Sequence, residues 1–390
     1  MKRSWMILTA LILLTVCAGC GAETGRQGQE ESMDLLAINV GKADCLLLQY
    51  GGLTYMIDTG TEESWGAVSA ALKLNGVTRL DGVIVTHTDK DHAGGAWALA
   101  TSSIPVGGWY ASAYYCEVTE EKHPVAAAAA LRGGSVTWLK AGDALPFGNG
   151  KLTVLGPTAP DMAKENNNSV VLYAEACGGS ILLAGDMEFP EETLLLQAGL
   201  VPKADVLKVG NHGESDATSA EFIAAVSPKI AVISTNSVEE PDTPAKRVLK
   251  LLKRAGAQVA LTENAPGGVL VSVSGGTASC RLVSWRQAPE IVAGVTITAK
   301  DAKADTVTLT NTSGDAVDLS GWFIRSERGG DTFVLPQGTV LAAGESLTVG
   351  SLTTERTVDL TWPEKNVWHN SKDDAAYLFD VYGREISRLD

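Results

Sequence analysis

Residues 86–95, with the sequence THTDKDHAGG, hold the densest group of side chains that could do chemistry. His87, Asp89, Asp91 and His92 follow directly after the apolar run GVIV. The chain has 5 histidines, and this segment contains two of them. Imidazole and carboxylate groups at this density can bind divalent cations without cysteine. The simpler alternative is that the segment is an ordinary polar loop. We interpret the segment as a metal-binding loop.

Asp186 is a second carboxylate that calls for a partner, because it follows the apolar run SILLAG. An isolated charge at the end of a buried strand is costly unless a cation or another partner compensates it. The alternative is that Asp186 caps a helix beginning near Glu188 and Pro190. We favour the metal role for Asp186.

The elements that must position these residues alternate along the chain from residue 33 to about residue 286. The runs LLAINV, CLLLQY, TYMIDTG, GVIVTH, VVLYAEA, SILLAGD, ADVLKVG, IAVIST and VALTE predict strands, because they are short, apolar and bounded by Gly, Asp or Asn. The patterns SWGAVSAALKL, PVAAAAAL, SAEFIAAV and AKRVLKLLKRAG predict helices. Interleaved strands and helices predict a layered α/β fold. Four polar side chains stand where predicted strands end: Asp58, His87, Asp186 and His212.

The metal-binding loop resembles the HxHxDH signature of the metallo-β-lactamase fold, with Asp89 where most members have the second histidine. The form THxDxDHxGG is that of the ComEC-type DNA-uptake proteins. Other segments between residues 33 and 273 are similar to the family's motifs in the family's order. NVGKAD resembles DVGQGD, IDTG matches a strand end, NNNSVV resembles NENSVV, AGD is similar to TGD, and VLKVGNHG resembles VLKVxHHGS.

This resemblance implies an αββα metallo-β-lactamase sandwich, with two mixed sheets face to face, helices outside and two divalent metals at one edge. The implied metal ligands are His87, Asp89, Asp91, His92, Asp186 and His212. The first two would face one metal, the next two would face the second, and Asp186 would bridge both. His212 would be a further ligand or a contact to the leaving group. Because the set is rich in carboxylates, Mn²⁺ competes with Zn²⁺ as the metal.

The implied chemistry is metal-assisted hydrolysis of a phosphodiester, with DNA as one candidate substrate. Asp91 would hold one metal and orient the attacking hydroxide. Two positions depart from the family, because Asn211 and Thr243 replace histidines of its HHG and GHP motifs. A catalytically weakened or inactive scaffold lipoprotein therefore stays open as an alternative, as does hydrolysis of a non-nucleic-acid ester. Lactam hydrolysis is disfavoured because Asp89 replaces a zinc-binding histidine.

The charge balance argues against a general nucleic-acid coat, because 46 Asp and Glu outnumber 31 Lys and Arg and leave a net charge of −15. A local basic groove is still compatible with this balance. Lys246, Lys250 and Arg254 share one face of a predicted helix. That face is either a phosphate-tracking surface or an ordinary solvated one, and we favour the solvated face.

The N-terminus has the pattern of a bacterial export signal. A positively charged start is followed by the apolar run 5–16, which is too short to span a bilayer comfortably, and then by CAGC. The end of this run resembles a lipobox. We predict a lipoprotein signal peptide over residues 1–19, lipidation of Cys20, and a flexible tether over residues 20–32. The chain would then be exported and lipid-anchored at the outer face of the cytoplasmic membrane, or secreted. A non-lipidated secretory signal and a retained anchor are the alternatives.

The pattern changes near residue 287, which divides the expected hydrolase domain (33–286) from residues 290–390. Runs such as VTIT, TVTLTN, FIRS and ESLTVG alternate with Gly, Asp and Pro turns, which predicts an all-β sandwich. Leu319 and Trp322 flank a Gly turn and are expected in its core. VTLTNTSGDAVDLSGWFIRS and the later segments resemble a lamin tail domain, an immunoglobulin-like sandwich. This resemblance implies a binding adaptor whose ligand is unknown.

The remaining cysteines and one isolated histidine carry weaker signals. Four cysteines lack any CxxC spacing, so one or two disulfides and buried free thiols both stay open: Cys45, Cys116, Cys177 and Cys280. The polar neighbours of His123 predict a surface position for it.

Overall fold

The computed structural model describes residues 31–284, 288–292 and 294–390. The predicted signal peptide, Cys20 and nearly all of the predicted tether lie outside the described residues. We call residues 31–284 the first region and residues 288–390 the second region. In the described part of the chain, no helix has both the length and the apolar character needed to cross a membrane.

The first region forms two mixed β-sheets. Its strands are β1 (Met33–Ala37), β2 (Leu46–Tyr50), β3 (Leu53–Ile57), β4 (Gly82–Val85), β5 (Trp109–Ser112), β6 (Val136–Leu139), β7 (Ala144–Leu145), β8 (Lys151–Gly156), β9 (Val171–Ala176), β10 (Gly179–Leu183), β11 (Val206–Lys208), β12 (Ile230–Ile233), β13 (Gln258–Leu261), β14 (Val269–Ser274) and β15 (Thr277–Leu282). One sheet has the order β15-β14-β1-β2-β3-β4-β5-β6, and the other has the order β13-β12-β11-β10-β9-β8-β7.

Parallel strands lie side by side in both sheets. They run from β3 to β6 in the first sheet and from β10 to β13 in the second. A core of residues such as Leu48, Ile84, Leu183 and Val232 fills the space between the two sheets. Ligand sites form at the carboxyl ends of parallel strands, and here those ends carry the predicted site residues.

Helices cover the outer faces of both sheets. They are α1 (Trp65–Leu74), α2 (Lys90–Ala93), α3 (Ala96–Thr101), α4 (Pro124–Leu131), α5 (Phe189–Gln197), α6 (Ala220–Val226) and α7 (Lys246–Arg254). The apolar spacing of α1 places Trp65, Val68 and Leu72 on one buried face, as an amphipathic helix requires. α1, α3 and α4 pack on the first sheet, and α5, α6 and α7 pack on the second. The expected αββα sandwich is confirmed.

The second region is all β, as expected. Its strands are β16 (Val295–Asp301), β17 (Thr306–Asn311), β18 (Val317–Asp318), β19 (Phe323–Ser326), β20 (Thr332–Val334), β21 (Val340–Leu341), β22 (Ser346–Ser351), β23 (Leu360–Trp362), β24 (Ala376–Phe379) and β25 (Glu385–Leu389). They form sheets β16-β17-β22-β23 and β20-β19-β24-β25 with the small pair β18-β21. The pairing is antiparallel except between β22 and β23. Leu319 and Trp322 are buried in the core, as predicted.

The two regions share an apolar and hydrogen-bonded contact. Phe323 and Val334 of the second region are buried in the same hydrophobic cluster as Trp65 of α1. The backbone N–H of Thr332 donates a 2.7 Å hydrogen bond to Oε1 of Glu62. The second region is therefore docked on the helical layer of the first sheet.

The surface position predicted for His123 is wrong, because the structure buries it. Its ring lies 5.0 Å from the ring of Tyr115 and 5.0 Å from that of Trp138, centroid to centroid. Burial lowers the pKa of His123 to about 4, so the ring is neutral near pH 7. Two long-range aromatic neighbours, which local sequence does not reveal, overrode its polar surroundings along the chain.

Of the two alternatives for the cysteines, disulfides and free thiols, the structure supports free thiols. Cys45, Cys116, Cys177 and Cys280 are all unpaired in the structure. Cys45 is fully buried, and burial raises the pKa of its thiol well above the usual value, so it behaves as a small apolar side chain.

Candidate metal centre

The metal-binding loop begins where β4 ends at Val85. His87 is buried immediately after the strand, and the short helix α2 carries the side chains of Asp91 and His92. The carbonyl oxygen of Asp89 accepts hydrogen bonds from the N–H groups of His92 at 3.0 Å and Ala93 at 2.8 Å. One helical turn thus brings the second pair of predicted ligands close to the first pair.

The two glycines after the loop serve close packing and not a left-handed turn. Gly94 and Gly95 both have negative φ angles, −61° and −78°. A Cβ on Gly94 would lie 2.8 Å from the backbone N of Glu62, and a Cβ on Gly95 would collide with the carbonyl oxygen of Thr59. The loop therefore lies directly against the segment that follows β3.

Asp186 lies just beyond the end of β10. This is the same edge of the sandwich at which the metal-binding loop follows β4 of the first sheet. Its backbone N–H donates a 3.1 Å hydrogen bond to the hydroxyl of Ser169. The helix-cap alternative for Asp186 is wrong, because α5 begins at Phe189 and the residue preceding it is Glu188. The Asp186 carboxylate is consequently free to face the other predicted ligands.

His212 follows β11 in a tight turn. Asn211 and His212 both adopt left-handed backbone conformations, with φ angles of 43° and 51°. The Nδ1 atom of His212 lies 3.0 Å from the carbonyl oxygen of Ser234. Because a carbonyl only accepts, Nδ1 carries the hydrogen and Nε2 is directed to the other ligands.

Asp91, His92, Asp186 and His212 form what we call the four-residue cluster. One candidate ligand atom from each lies within 4.8 Å of the corresponding atom of every other member. Asp186 Oδ2 is 3.1 Å from His92 Nε2 and 3.3 Å from His212 Nε2, and Asp91 Oδ2 is 3.4 Å from His212 Nε2. The tertiary fold has brought together residues from both sheets.

His87 and Asp89 lie beside this cluster as a separate pair. Their closest atoms, Nε2 and Oδ2, are 3.5 Å apart. The ring centroids of His87 and His92 are 4.2 Å apart, so the pair adjoins the four-residue cluster. All six predicted ligands therefore meet at one edge of the sandwich.

Several buried ligand atoms have unmet hydrogen-bonding capacity. Among the described residues, the Nε2 atoms of His87, His92 and His212 and the Oδ1 atom of Asp186 lack a partner with hydrogen-bond geometry. Buried polar atoms are ordinarily paired, so a convergent set of unpaired ones needs an explanation. Divalent cations bound at this edge would satisfy these atoms, because each is a metal-ligand atom.

Electrostatics in the cluster are arranged around the Asp186 charge. Burial would lower the pKa of His212, but the nearby carboxylates of Asp186 and Asp91 raise it to about 9. His92 behaves alike, since Asp186 and Asp58 outweigh burial and raise its pKa well above the usual value. Burial likewise opposes ionisation of Asp91, yet His212 and His92 lower the Asp91 pKa to about 2. The site thus favours positive charge next to its carboxylates.

Asp58 supports the site and had no assigned role in the sequence analysis. Its Oδ2 lies 2.8 Å from Nδ1 of His92, which directs Nε2 of that ring to Asp186. The backbone N–H and hydroxyl of Thr86 donate to Asp58 at 2.7 and 2.9 Å. The IDTG motif was the available signal, since a polar residue ending a buried strand requires partners.

Glu165 is a second supporting residue that the sequence did not reveal. It is buried, and its Oε1 accepts hydrogen bonds from the hydroxyl and the N–H of Thr88 at 2.7 and 3.1 Å. Its Oε2 accepts from the N–H of Cys116 at 2.7 Å. Glu165 therefore holds the middle of the metal-binding loop, and no local pattern marks it.

The two positions that depart from the family motifs lie near the site without being among its closest ligand atoms. Asn211 is buried, and its side-chain amide donates a 3.2 Å hydrogen bond to Oδ1 of Asp216. Thr243 is also buried, and its carbonyl oxygen accepts a 3.1 Å hydrogen bond from the Thr235 hydroxyl. Neither side chain offers an imidazole to a metal.

Residues 38–237 match the metallo-beta-lactamase superfamily. This is about half of the chain, and the chain belongs to that superfamily. Residues 290–390 match the lamin tail domain. We therefore refer to the first and second regions as the metallo-β-lactamase domain and the lamin tail domain.

Among curated proteins, the chain is similar to ComE operon protein 3 of Bacillus subtilis strain 168, with 37% identity over 198 residues. The match covers 49% of this chain and 24% of that protein. Competence protein ComA of Neisseria gonorrhoeae is 28% identical over 227 residues, which cover 58% of this chain and 30% of that protein. These relatives confirm the ComEC-type resemblance, and the matched part spans less than a third of their length.

Among solved structures, the metallo-beta-lactamase fold protein YhfI from Bacillus subtilis is 14% identical with a TM-score of 0.41, and the match covers 62% of this chain and 100% of that chain.

Proposed function

We propose that this chain is an exported metal-dependent hydrolase that cleaves phosphodiester bonds with two divalent cations, zinc or manganese. The observation that carries the proposal is the convergence of unpartnered buried ligand atoms from His87, His92, Asp186 and His212. Membership of the metallo-beta-lactamase superfamily supports hydrolysis. The names of the competence relatives support DNA as one candidate substrate.

The four-residue cluster offers ligands for one cation, and the neighbouring His87–Asp89 pair is where we propose the second. The proposed ligands are His87 and Asp89 for one cation, and Asp91, His92 and His212 for the other, with Asp186 between them. When bound, the cations would lower the pKa of a water molecule and neutralise charge developing on phosphoryl oxygens.

Exposure distinguishes the proposed roles of two ligands. The Asp91 side chain is 29% exposed, so its carboxylate reaches the open side of the site, where it can accept a hydrogen bond from an attacking water. The His212 side chain has no exposure, which supports the ligand role over contact with a leaving group.

The surface beside His212 bears on which phosphodiesters the site would accept. A groove next to this turn is lined by three carboxylates, Glu214, Asp242 and Glu263, and by one cation, Lys246. Lys42 lies at the same edge, but its Nζ pairs with Glu214 at 2.6 Å and Glu240 at 3.2 Å. The rim on this side is therefore acidic, and repulsion of a polyanion favours a short phosphodiester held mainly by the cations.

The basic face of α7 gains no support as a phosphate-tracking surface. Lys246, Lys250 and Arg254 are all exposed, whereas Arg247, which is not on that face, is partly buried and donates to the carbonyl oxygen of Thr218 at 2.8 Å. Arg247 also lies over the ring of Phe189. We propose that the remaining cations of this helix form a solvated face.

The outer organisation of the chain is part of the proposal. Residues 1–19 would be a lipoprotein signal peptide, Cys20 the lipidated residue that binds the membrane, and residues 20–32 the tether. The hydrolase domain would cover residues 33–286 and the adaptor residues 290–390, with an unidentified ligand. The chain would act at the outer face of the cytoplasmic membrane, or as a secreted protein.

The experiment is metal analysis followed by a turnover assay. Purified chain should contain one to two equivalents of zinc or manganese and should hydrolyse bis(4-nitrophenyl) phosphate. Asp91→Asn should lower turnover by roughly 100-fold or more, because the amide loses the charge that binds the cation. Asp205→Asn is the matched control. Asp205 forms a 2.7 Å ion pair with Lys229, and this pair is not part of the four-residue cluster.

The alternative of an inactive scaffold predicts a different result. It is motivated by Asn211 and Thr243, which replace family histidines. Metal bound in both proteins with equal, very low turnover of wild type and Asp91→Asn would support the scaffold. Less than about a tenth of an equivalent of transition metal would contradict both the hydrolase and the metal-binding scaffold.

A further inference from the structure

A buried ion pair lies next to the four-residue cluster and contains no proposed ligand. Lys208 is the last residue of β11, and Asp44 is in the loop between β1 and β2. Their Nζ and Oδ2 atoms are 2.7 Å apart, and each side chain is only 1% exposed. β1 and β2 belong to one sheet and β11 to the other, so the ion pair joins the two sheets.

Each partner also contacts a segment that carries a proposed ligand. The backbone N–H of Asp44 donates a 3.1 Å hydrogen bond to the carbonyl oxygen of Asp91. Nζ of Lys208 donates a 3.1 Å hydrogen bond to the carbonyl oxygen of Val209, three residues before His212. The pair therefore connects the metal-binding loop with the turn that presents His212.

The side-chain carboxylate of Asp44 also approaches the site itself. One oxygen of Asp44, one oxygen of Asp58 and one ring nitrogen of His92 lie within 4.8 Å of one another. Burial opposes ionisation of Asp44, but Lys208 and the two nearby histidines lower its pKa below the usual value. A full negative charge is thus held just behind His92.

Stability alone does not explain a buried ion pair. Taking two charges out of water is costly, and uncharged side chains of similar volume often stabilise a protein equally well or better. An ion pair does impose a specific distance and direction, which packed apolar side chains impose less strictly. At this position the constrained quantity is the separation between ligand-bearing segments of the two sheets.

We propose that the Asp44–Lys208 ion pair is a positioning pair that sets the spacing of the four-residue cluster and thereby its affinity for a divalent cation. The inference rests on the proposed metal-dependent function and adds two residues that act through the ligands. Partners that orient metal ligands from behind change metal affinity by about 10- to 100-fold when they are removed.

The test is a zinc competition titration of the purified chain against a chromophoric chelator. Lys208→Met keeps the volume and removes the charge, and it should weaken zinc binding by about 10- to 100-fold. Lys229→Met is the matched control, because the Lys229–Asp205 pair has the same 2.7 Å length and flanks the amino ends of β11 and β12. The control should bind zinc as the wild type does.

A double variant separates positioning from stability. Lys208→Met leaves Asp44 buried without its partner, so its thermal stability should fall. Asp44→Asn combined with Lys208→Met removes both charges, and it should recover stability without recovering zinc affinity. Recovery of wild-type zinc affinity in the double variant would overturn the proposal, as would unchanged affinity in Lys208→Met. A wild type that binds no zinc or manganese would instead defeat the proposed function, and the inference with it.

Discussion

Two buried carboxylates, one in each domain, use the same chemical group in opposite ways. Asp305 of the lamin tail domain is buried, and its two oxygens accept backbone N–H groups of Trp368 at 2.9 Å and Val367 at 3.1 Å. Asp186 of the metallo-β-lactamase domain is also buried. Its Oδ1 has no partner among the described residues, and its Oδ2 faces the imidazoles of His92 and His212.

The lamin tail domain contains a second carboxylate, Asp374, that also accepts backbone N–H groups. This carboxylate accepts the N–H groups of Arg328 at 2.9 Å and His369 at 2.8 Å. Carboxylates of this kind hold loops together, because backbone donors saturate them. Burial therefore does not mark a ligand site by itself, whereas several unsaturated ligand atoms that converge do mark one.

His123 sharpens the same comparison among histidines. Its Nδ1 is also without a partner, but its ring neighbours are Tyr115 and Trp138. The pKa of His123 is lowered by burial, whereas nearby carboxylates raise that of His212. A single unpartnered atom among aromatic rings points to packing, and a group of them among carboxylates points to a cation.

The strongest test of this comparison is Asp186→Asn. The amide cannot supply the charge that would hold the cations, so metal content should fall by at least tenfold. The fold should persist, because the substitution removes a buried charge and keeps the volume. Elemental analysis and a thermal melt of metal-free protein check the two parts. Retention of wild-type metal content would show that Asp186 is not a ligand.

Asp305→Ala should have the converse effect. It leaves the N–H groups of Val367 and Trp368 buried without acceptors, which costs on the order of 2–4 kcal/mol in the free energy of unfolding of the lamin tail domain. Urea unfolding followed by tryptophan fluorescence measures this loss. Metal content should be unchanged, and a loss of metal in this variant would remove the distinction drawn between Asp305 and Asp186.

The contact between the domains supplies a smaller, pH-dependent effect. Burial raises the pKa of Glu62 to about 7 despite the hydrogen bond from the Thr332 N–H, and Asp331 and Glu63 reinforce the rise. A raised carboxyl pKa means that the folded state prefers the neutral acid. The contribution of neutral Glu62 to the free energy of unfolding is therefore fully present below about pH 4.5, and it is lost as the pH rises to about 7.

Glu62→Gln should abolish this pH dependence, whereas Glu63→Gln should only reduce it slightly, because Glu63 is a minor contributor to the raised pKa of Glu62. The wild-type melting temperature should fall between about pH 4.5 and pH 7 relative to that of Glu62→Gln. The upper limit is roughly 1.4 kcal/mol for each unit of pKa shift, and solvent screening reduces it. If the melting temperatures of the wild type and of Glu62→Gln changed in parallel with pH, Glu62 would not have a raised pKa at the domain contact.

Some elements were beyond sequence reasoning for local reasons. β5 (Trp109–Ser112) and β6 (Val136–Leu139) have four residues each and mix polar with aromatic side chains, so neither shows a period. α5 (Phe189–Gln197) carries a proline and two glutamates in its first turn, and the sequence offered it only as the helix that Asp186 would cap in the alternative interpretation. Both its glutamates, Glu191 and Glu192, are buried through hydrogen bonds to distant segments.

The sequence by itself determined a layered α/β fold, the β-sandwich after it, and the metal-binding loop, and the family resemblance of its motifs supplied the αββα arrangement. Strand and helix periods are local, and His87, Asp89, Asp91 and His92 are neighbours along the chain. Only the tertiary structure decided that His212 joins Asp91, His92 and Asp186 while His87 stands beside Asp89. It also revealed the supporting roles of Asp58 and Glu165 and the Asp44–Lys208 pair, and it showed that the lamin tail domain packs on α1. These contacts join residues far apart in sequence, and their distances follow from how the sheets pack, which no local pattern encodes.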